Sequence, residues 1–69
     1  MNKEQFQEAV RDALKKRYAK DRSDEEIADA MEENQDVIDG AFEEASGPES
    51  FGMDWHADNA AWNIYLCSF

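Results

Sequence analysis

Asp58-Asn59-Ala60-Ala61-Trp62-Asn63-Ile64-Tyr65-Leu66-Cys67 admits two backbones, and the fold class turns on which one it takes. The run from Ala61 to Cys67 is rich in side chains that favour strands. Asp58-Asn59 is suited to reversing the chain so that this run pairs with Phe51-Gly52-Met53-Asp54-Trp55. A C-terminal β-hairpin within 50–69 is therefore expected. The competing backbone is a short helix capped by Asp58, because Ala60, Ala61, Trp62, Tyr65 and Leu66 also fit helical spacing and short apolar runs read both ways. The hairpin makes the chain α+β, with two or three short helices packed against it; the helix makes it a small all-α bundle.

Gly47, Pro48 and Gly52 separate this tail from what precedes it. Five of the eight aromatic residues, Phe51, Trp55, Trp62, Tyr65 and Phe69, fall in its last nineteen positions, which places the tail in the core. Upstream, Phe6, Val10, Leu14 and Tyr18 recur at every fourth residue with Ala9 and Ala13 beside them, so 1–20 reads as an amphipathic helix from about residue 3. Ser23 and Glu26 form a capping box that opens an acidic helical segment over 24–45. Ile27, Ala30 or Met31, Ile38, Ala41 or Phe42, and Ala45 continue its apolar stripe, and Asn34 interrupts it. Asn34 can cap a separate helix over about 35–45, with Asp36 in its first turn and Ser46-Gly47-Pro48 ending it; one bent helix fits the same pattern. Phe6, Val10, Leu14, Ile27, Met31, Ile38, Phe42, Trp62, Ile64 and Leu66 are the expected core.

Sixty-nine residues make a single domain, 1–69, of a size whose stability is marginal without good packing or a partner. The lone cysteine, Cys67, forms no internal disulfide and fits a reducing compartment. With no apolar run of membrane-spanning length and no signal-like apolar core after Met1, the expected location is the cytoplasm. Gly40, Gly47 and Gly52 make no phosphate-binding loop. Asp54, His56 and Asp58 alternate as three potential ligands on a strand, but a single histidine and no second cluster argue against a metal site. His56 and Cys67 lack the orienting third group of a nucleophilic pair. The chain is expected to be no enzyme and to need no cofactor.

Charge is the most informative property. Seventeen acidic residues against seven basic ones give a net charge of −10, distributed as +3 over 1–20, −10 over 21–44 and −3 over 45–69. The 21–44 segment holds eleven acids and one base, Arg22. Arg11, Lys15, Lys16, Arg17 and Lys20 make the first helix basic on one side, and pairing with the acidic segment is their expected use; Lys16 and Arg17 also suit a second copy in a symmetric dimer. Glu25, Asp29, Glu32, Asp36, Asp39 and Glu43 follow at spacings of 4, 3, 4, 3 and 4, which on a continuous helix puts all six on one face. Their charges then recur about every 5.4 Å, on the scale of phosphates along a nucleic-acid strand. The bland use of such a face is solubility. Like charges spaced i, i+4 cost a few tenths of a kcal/mol per pair, however, and a basic partner would offset that cost.

Ser23 to Ala45, with Glu26-Ile27-Ala28 in the first helix and Ile38 and Phe42 in the second, resembles a helix-turn-helix unit. It departs from that pattern at the turn, Met31-Glu32-Glu33-Asn34, which lacks the usual glycine. Its would-be recognition helix carries Asp36, Asp39, Glu43 and Glu44 without one Lys or Arg, so phosphates would repel it. In size and charge the chain is similar to the small acidic inhibitors of phages and mobile elements, the anti-restriction and anti-CRISPR proteins that mimic DNA. That resemblance, which rests on size and charge and assigns no residue, implies an inhibitor in the host cytoplasm that binds no nucleic acid itself and occludes the basic nucleic-acid-binding surface of another protein; it is the one-face spacing that makes Glu25, Asp29, Glu32, Asp36, Asp39 and Glu43 the expected contact. The alternative is a non-enzymatic assembly or adaptor module, a degenerate helix-turn-helix that self-associates or binds a fixed protein partner.

Overall fold

Asn2 starts the first helix by a device the apolar periodicity does not reveal: its side chain accepts from the Gln5 amide at 2.8 Å while the Gln5 side chain accepts from the Asn2 amide at 3.0 Å. The computed structural model describes residues 2–47 and 52–69. Helix α1 spans Lys3–Ala13 and continues as a π-helical turn, Leu14–Tyr18, closed by the Ala19 amide donating to the Leu14 carbonyl at 2.6 Å. Helix α2 spans Asp24–Glu33, α3 spans Gln35–Ala45 and α4 spans Met53–Ser68. The Ser23–Glu26 capping box forms as its spacing predicts, with the Glu26 amide donating to Ser23 Oγ at 3.2 Å.

Asn34 divides the acidic segment into two helices. Its φ of −113° and ψ of 32° leave the helical region, and its side chain turns backward, Nδ2 donating to the Ala30 carbonyl at 2.7 Å and to Ser68 Oγ at 2.7 Å. It thus closes the end of α2 and ties it to the end of α4, without giving α3 a side-chain cap. The helices join through this single residue, in place of the three- or four-residue turn of a helix-turn-helix unit. Pro48, expected to help end α3, lies outside the described residues.

The expected hairpin is not formed: among the described residues there is no strand, and the all-α bundle is the fold. Phe51, the start of the expected partner strand, lies outside the described residues. Gly52, at φ 112°, holds a backbone conformation open to glycine, and Asp58-Asn59 sits inside a 16-residue helix instead of turning the chain. The reason lies in which side chains are buried. Ala57, Ala60, Ala61 and Ile64, at i, i+3, i+4 and i+7, are at most 2% exposed. A strand would have put Trp62, Ile64 and Leu66 on one inward face; Trp62 is instead 43% exposed and Leu66 60% exposed, so neither belongs to the core that expectation gave them. Alanine is the strongest helix former, and three small side chains on one face let α4 lie close against α3 and α1, its principal neighbours.

The core is closed by Phe6, Val10 and Leu14 from the first helix, Ile27 and Met31 from α2, Ile38 from α3 and Ile64 from α4. Phe42 is partly buried, with its ring edge-on to Phe6 at 5.4 Å between centroids. The accessible surface, 4542 Å², matches the roughly 4,400 Å² that scaling gives for a folded monomer of this mass, so the chain closes on itself. None of the described helices is long and apolar enough to cross a membrane.

Candidate functional site

The break at Asn34 splits the acidic row into two triplets. On α2, Glu25, Asp29 and Glu32 lie opposite the buried Ile27, Ala30 and Met31 and are exposed. On α3, Asp36, Asp39 and Glu43 are likewise exposed, away from the buried Ile38 and Ala45, with Gly40 bare among them. Each triplet keeps its one-face spacing, while the continuous six-residue ladder of a single helix is interrupted.

Intramolecular pairing neutralises little of this surface. Lys3 pairs with Asp39, Lys15 with Asp24 at 3.6 Å, Arg22 with Glu26 at 3.4 Å, and Arg17 reaches away from the acidic helices to Asp58 on α4 at 3.0 Å. Three of the eleven acids of 21–44 are thus paired within the described residues, and eight are not. Of the six candidate residues, Asp39 alone is in an ion pair among the described residues. The Lys3 ammonium and the Gln35 amide, both hydrogen-bonded to it, hold its carboxyl below the usual carboxylate value. Glu32 rims the groove between α1 and α2, where Lys3, Gln7, Arg11 and Met31 also lie.

Asp54, His56 and Asp58 do not converge, because a helix turns alternate residues to nearly opposite sides. Asp54 is exposed, His56 is buried with Nε2 lacking a hydrogen-bond partner among the described residues, and Asp58 turns to Arg17 and Tyr18. His56 and Cys67 are eleven residues apart on the same helix, about 16 Å along its axis. No other group of potential ligands meets among the described residues.

A second surface feature was not expected. Tyr18, at the end of the π-helical turn, donates from its hydroxyl to Asp58 Oδ2 at 2.8 Å and stands 5.3 Å from Trp62 between ring centroids. With Trp55, Asp58, Asn59 and Trp62 it lines an open cleft on the outer side of α4. The spacing Trp55, Asn59, Trp62 (i, i+4, i+7) was visible in the sequence but carries meaning only on a helix.

Burial, then the Asp58 hydrogen bond and its negative charge, raise the Tyr18 phenol above its ordinary value of 10.0, against a smaller lowering by Arg17. The folded chain thus holds this proton more tightly than the unfolded one. Its stabilising contribution is complete below pH 10 and is lost as the pH climbs through the raised folded value. Titration of tyrosinate absorbance should show a phenol ionising above 10 in the folded protein, brought part of the way back by Asp58→Asn. Finding no such phenol would contradict the Tyr18–Asp58 bond.

Comparison of the chain with protein-family models, with curated proteins and with solved structures gave no match.

Proposed function

We propose that the chain is a non-enzymatic, cytoplasmic inhibitor that occludes the basic nucleic-acid-binding surface of another protein, of the anti-defence kind made by phages and mobile elements. The observation that carries this is the uncompensated acidic surface of α2 and α3. The fold has basic side chains at hand, yet Arg17 pairs elsewhere, and Arg11, Lys16 and Lys20 form no ion pair among the described residues. Glu25, Asp29, Glu32, Asp36 and Glu43 are exposed and form no ion pair among the described residues, retaining a self-repulsion that a cationic partner surface would relieve. Such a field also steers association over distances of about a Debye length, ~8 Å at physiological salt. The solvent-exposed Cys67 thiol accords with a reducing compartment.

The assembly-module reading keeps one observation in its favour, the exposure of Trp55, Trp62 and Leu66 along one side of α4. Salt discriminates between the two. Retention of a captured partner through the acidic face should collapse between low and high ionic strength, whereas an apolar contact through α4 should barely respond. A salt-insensitive complex would overturn the inhibitor reading.

A further inference from the structure

We propose that the cleft of Tyr18, Trp55, Asp58, Asn59 and Trp62 seats a cationic side chain, a guanidinium or an alkylammonium, of a basic partner protein. The partner's basic character rests on the function proposed above; the preference of the cleft for a cation rests on its own lining. Three aromatic side chains border it, and ring faces attract cations within about 6 Å. The carboxylate among them, Asp58, is buried enough to be partly desolvated, its side chain being 34% exposed. Its two oxygens have different neighbours: Oδ2 accepts from the Tyr18 hydroxyl, inside the lining, while Oδ1 accepts from Arg17, which is not part of the lining.

Arg17 shows that this carboxylate takes a guanidinium, and at 68% exposure its side chain is free to swing into solvent when another cation arrives. The cleft measures about 300 Å³, at the small end of ligand-site volumes and fit for one long side chain. The net charge of −10 favours a cation over a neutral occupant.

Trp55 and Trp62 are the only tryptophans in the sequence, so intrinsic fluorescence reports on this cleft. The test titrates the protein at constant ionic strength with arginine and with lysine, each blocked at both ends, and with blocked citrulline, which has the shape of arginine without its charge. Both cations are expected to give a saturating change with a dissociation constant on the order of 10 mM, and citrulline to bind about fivefold more weakly or not at all. Asp58→Asn, checked for retained helix by circular dichroism, should weaken the cations about fivefold. Arg17→Gln, which frees Asp58 Oδ1, should tighten them. Equal responses to arginine and citrulline, no saturation by either cation, unchanged affinity in Asp58→Asn, or weaker binding in Arg17→Gln would each overturn the proposal. The acidic residues of α2 and α3 lie outside the cleft. Saturable cation binding without a nucleic-acid-binding partner would therefore refute the proposed function and leave the cleft standing, and a partner without cation binding would do the reverse.

Discussion

Replacing Asp29, Glu32 and Glu43 together by lysine should weaken binding of the proposed basic partner at least ~10³-fold, because each change would remove an attraction and add a repulsion at the proposed contact. The choice follows from the structure. Asp39 is left alone because it holds Lys3, and Asp36 and Glu25 because carboxylates in the first turn of α3 and α2 favour the helix dipole. Glu32 and Glu43 stand in last turns, where a lysine suits the dipole better than a glutamate does. The triple variant should therefore melt at or above the temperature of the original chain, as repulsion along both helices is relieved. Lost binding with an intact fold would assign the acidic face to the partner; undiminished binding would remove it.

Replacing Ile64 by alanine should cost about 2–5 kcal/mol, since its side chain is fully buried on the face α4 turns to the core. The total stability expected for a chain of this length is only about 3–10 kcal/mol, so the loss takes a large fraction of it and denaturant unfolding should show the midpoint moved to much lower denaturant. The companion measurement is Leu66→Ala, expected to change stability by less than about 0.5 kcal/mol because Leu66 is 60% exposed. In a hairpin the two residues would share the inward face and cost alike. A large loss from both variants would reinstate a strand, and a loss from Ile64 alone accords with the helix.

That contrast marks where local pattern stops being sufficient. The first helix and the Ser23–Glu26 capping box were legible because each depends on residues within a few positions of one another; at Asn34 the interruption was legible but the choice between one bent helix and two was not, and Asn34 is held in part by Ser68, thirty-four positions away. The tail was not. Trp62, Ile64, Tyr65 and Leu66 suit a strand by preference, and the deciding fact, that Ala57, Ala60 and Ala61 pack closely against α1 and α3, is a property of the assembled bundle. Burying alanines in place of tryptophan runs against the hydrophobicity of the side chains considered one by one.

The candidate site divides in the same way. Exposure of all six acidic residues followed from helical period, because apolar and acidic positions alternate faces. Their unequal compensation did not. Lys3 meets Asp39 across thirty-six positions of sequence, and Arg17, which the charge pattern assigned to the acidic helices, crosses forty-one positions to Asp58. The aromatic cleft depends on that same long-range packing, with Tyr18 brought from the π-helical turn to α4.

The most direct test of the central claim immobilises the chain, captures proteins from lysate of its source or host cell, and elutes with excess duplex DNA, beside the Asp29→Lys, Glu32→Lys, Glu43→Lys variant. A nucleic-acid-binding protein is expected to be retained by the original chain, released by DNA and absent from the variant. A partner that DNA does not release, or that the variant retains equally, would contradict that claim.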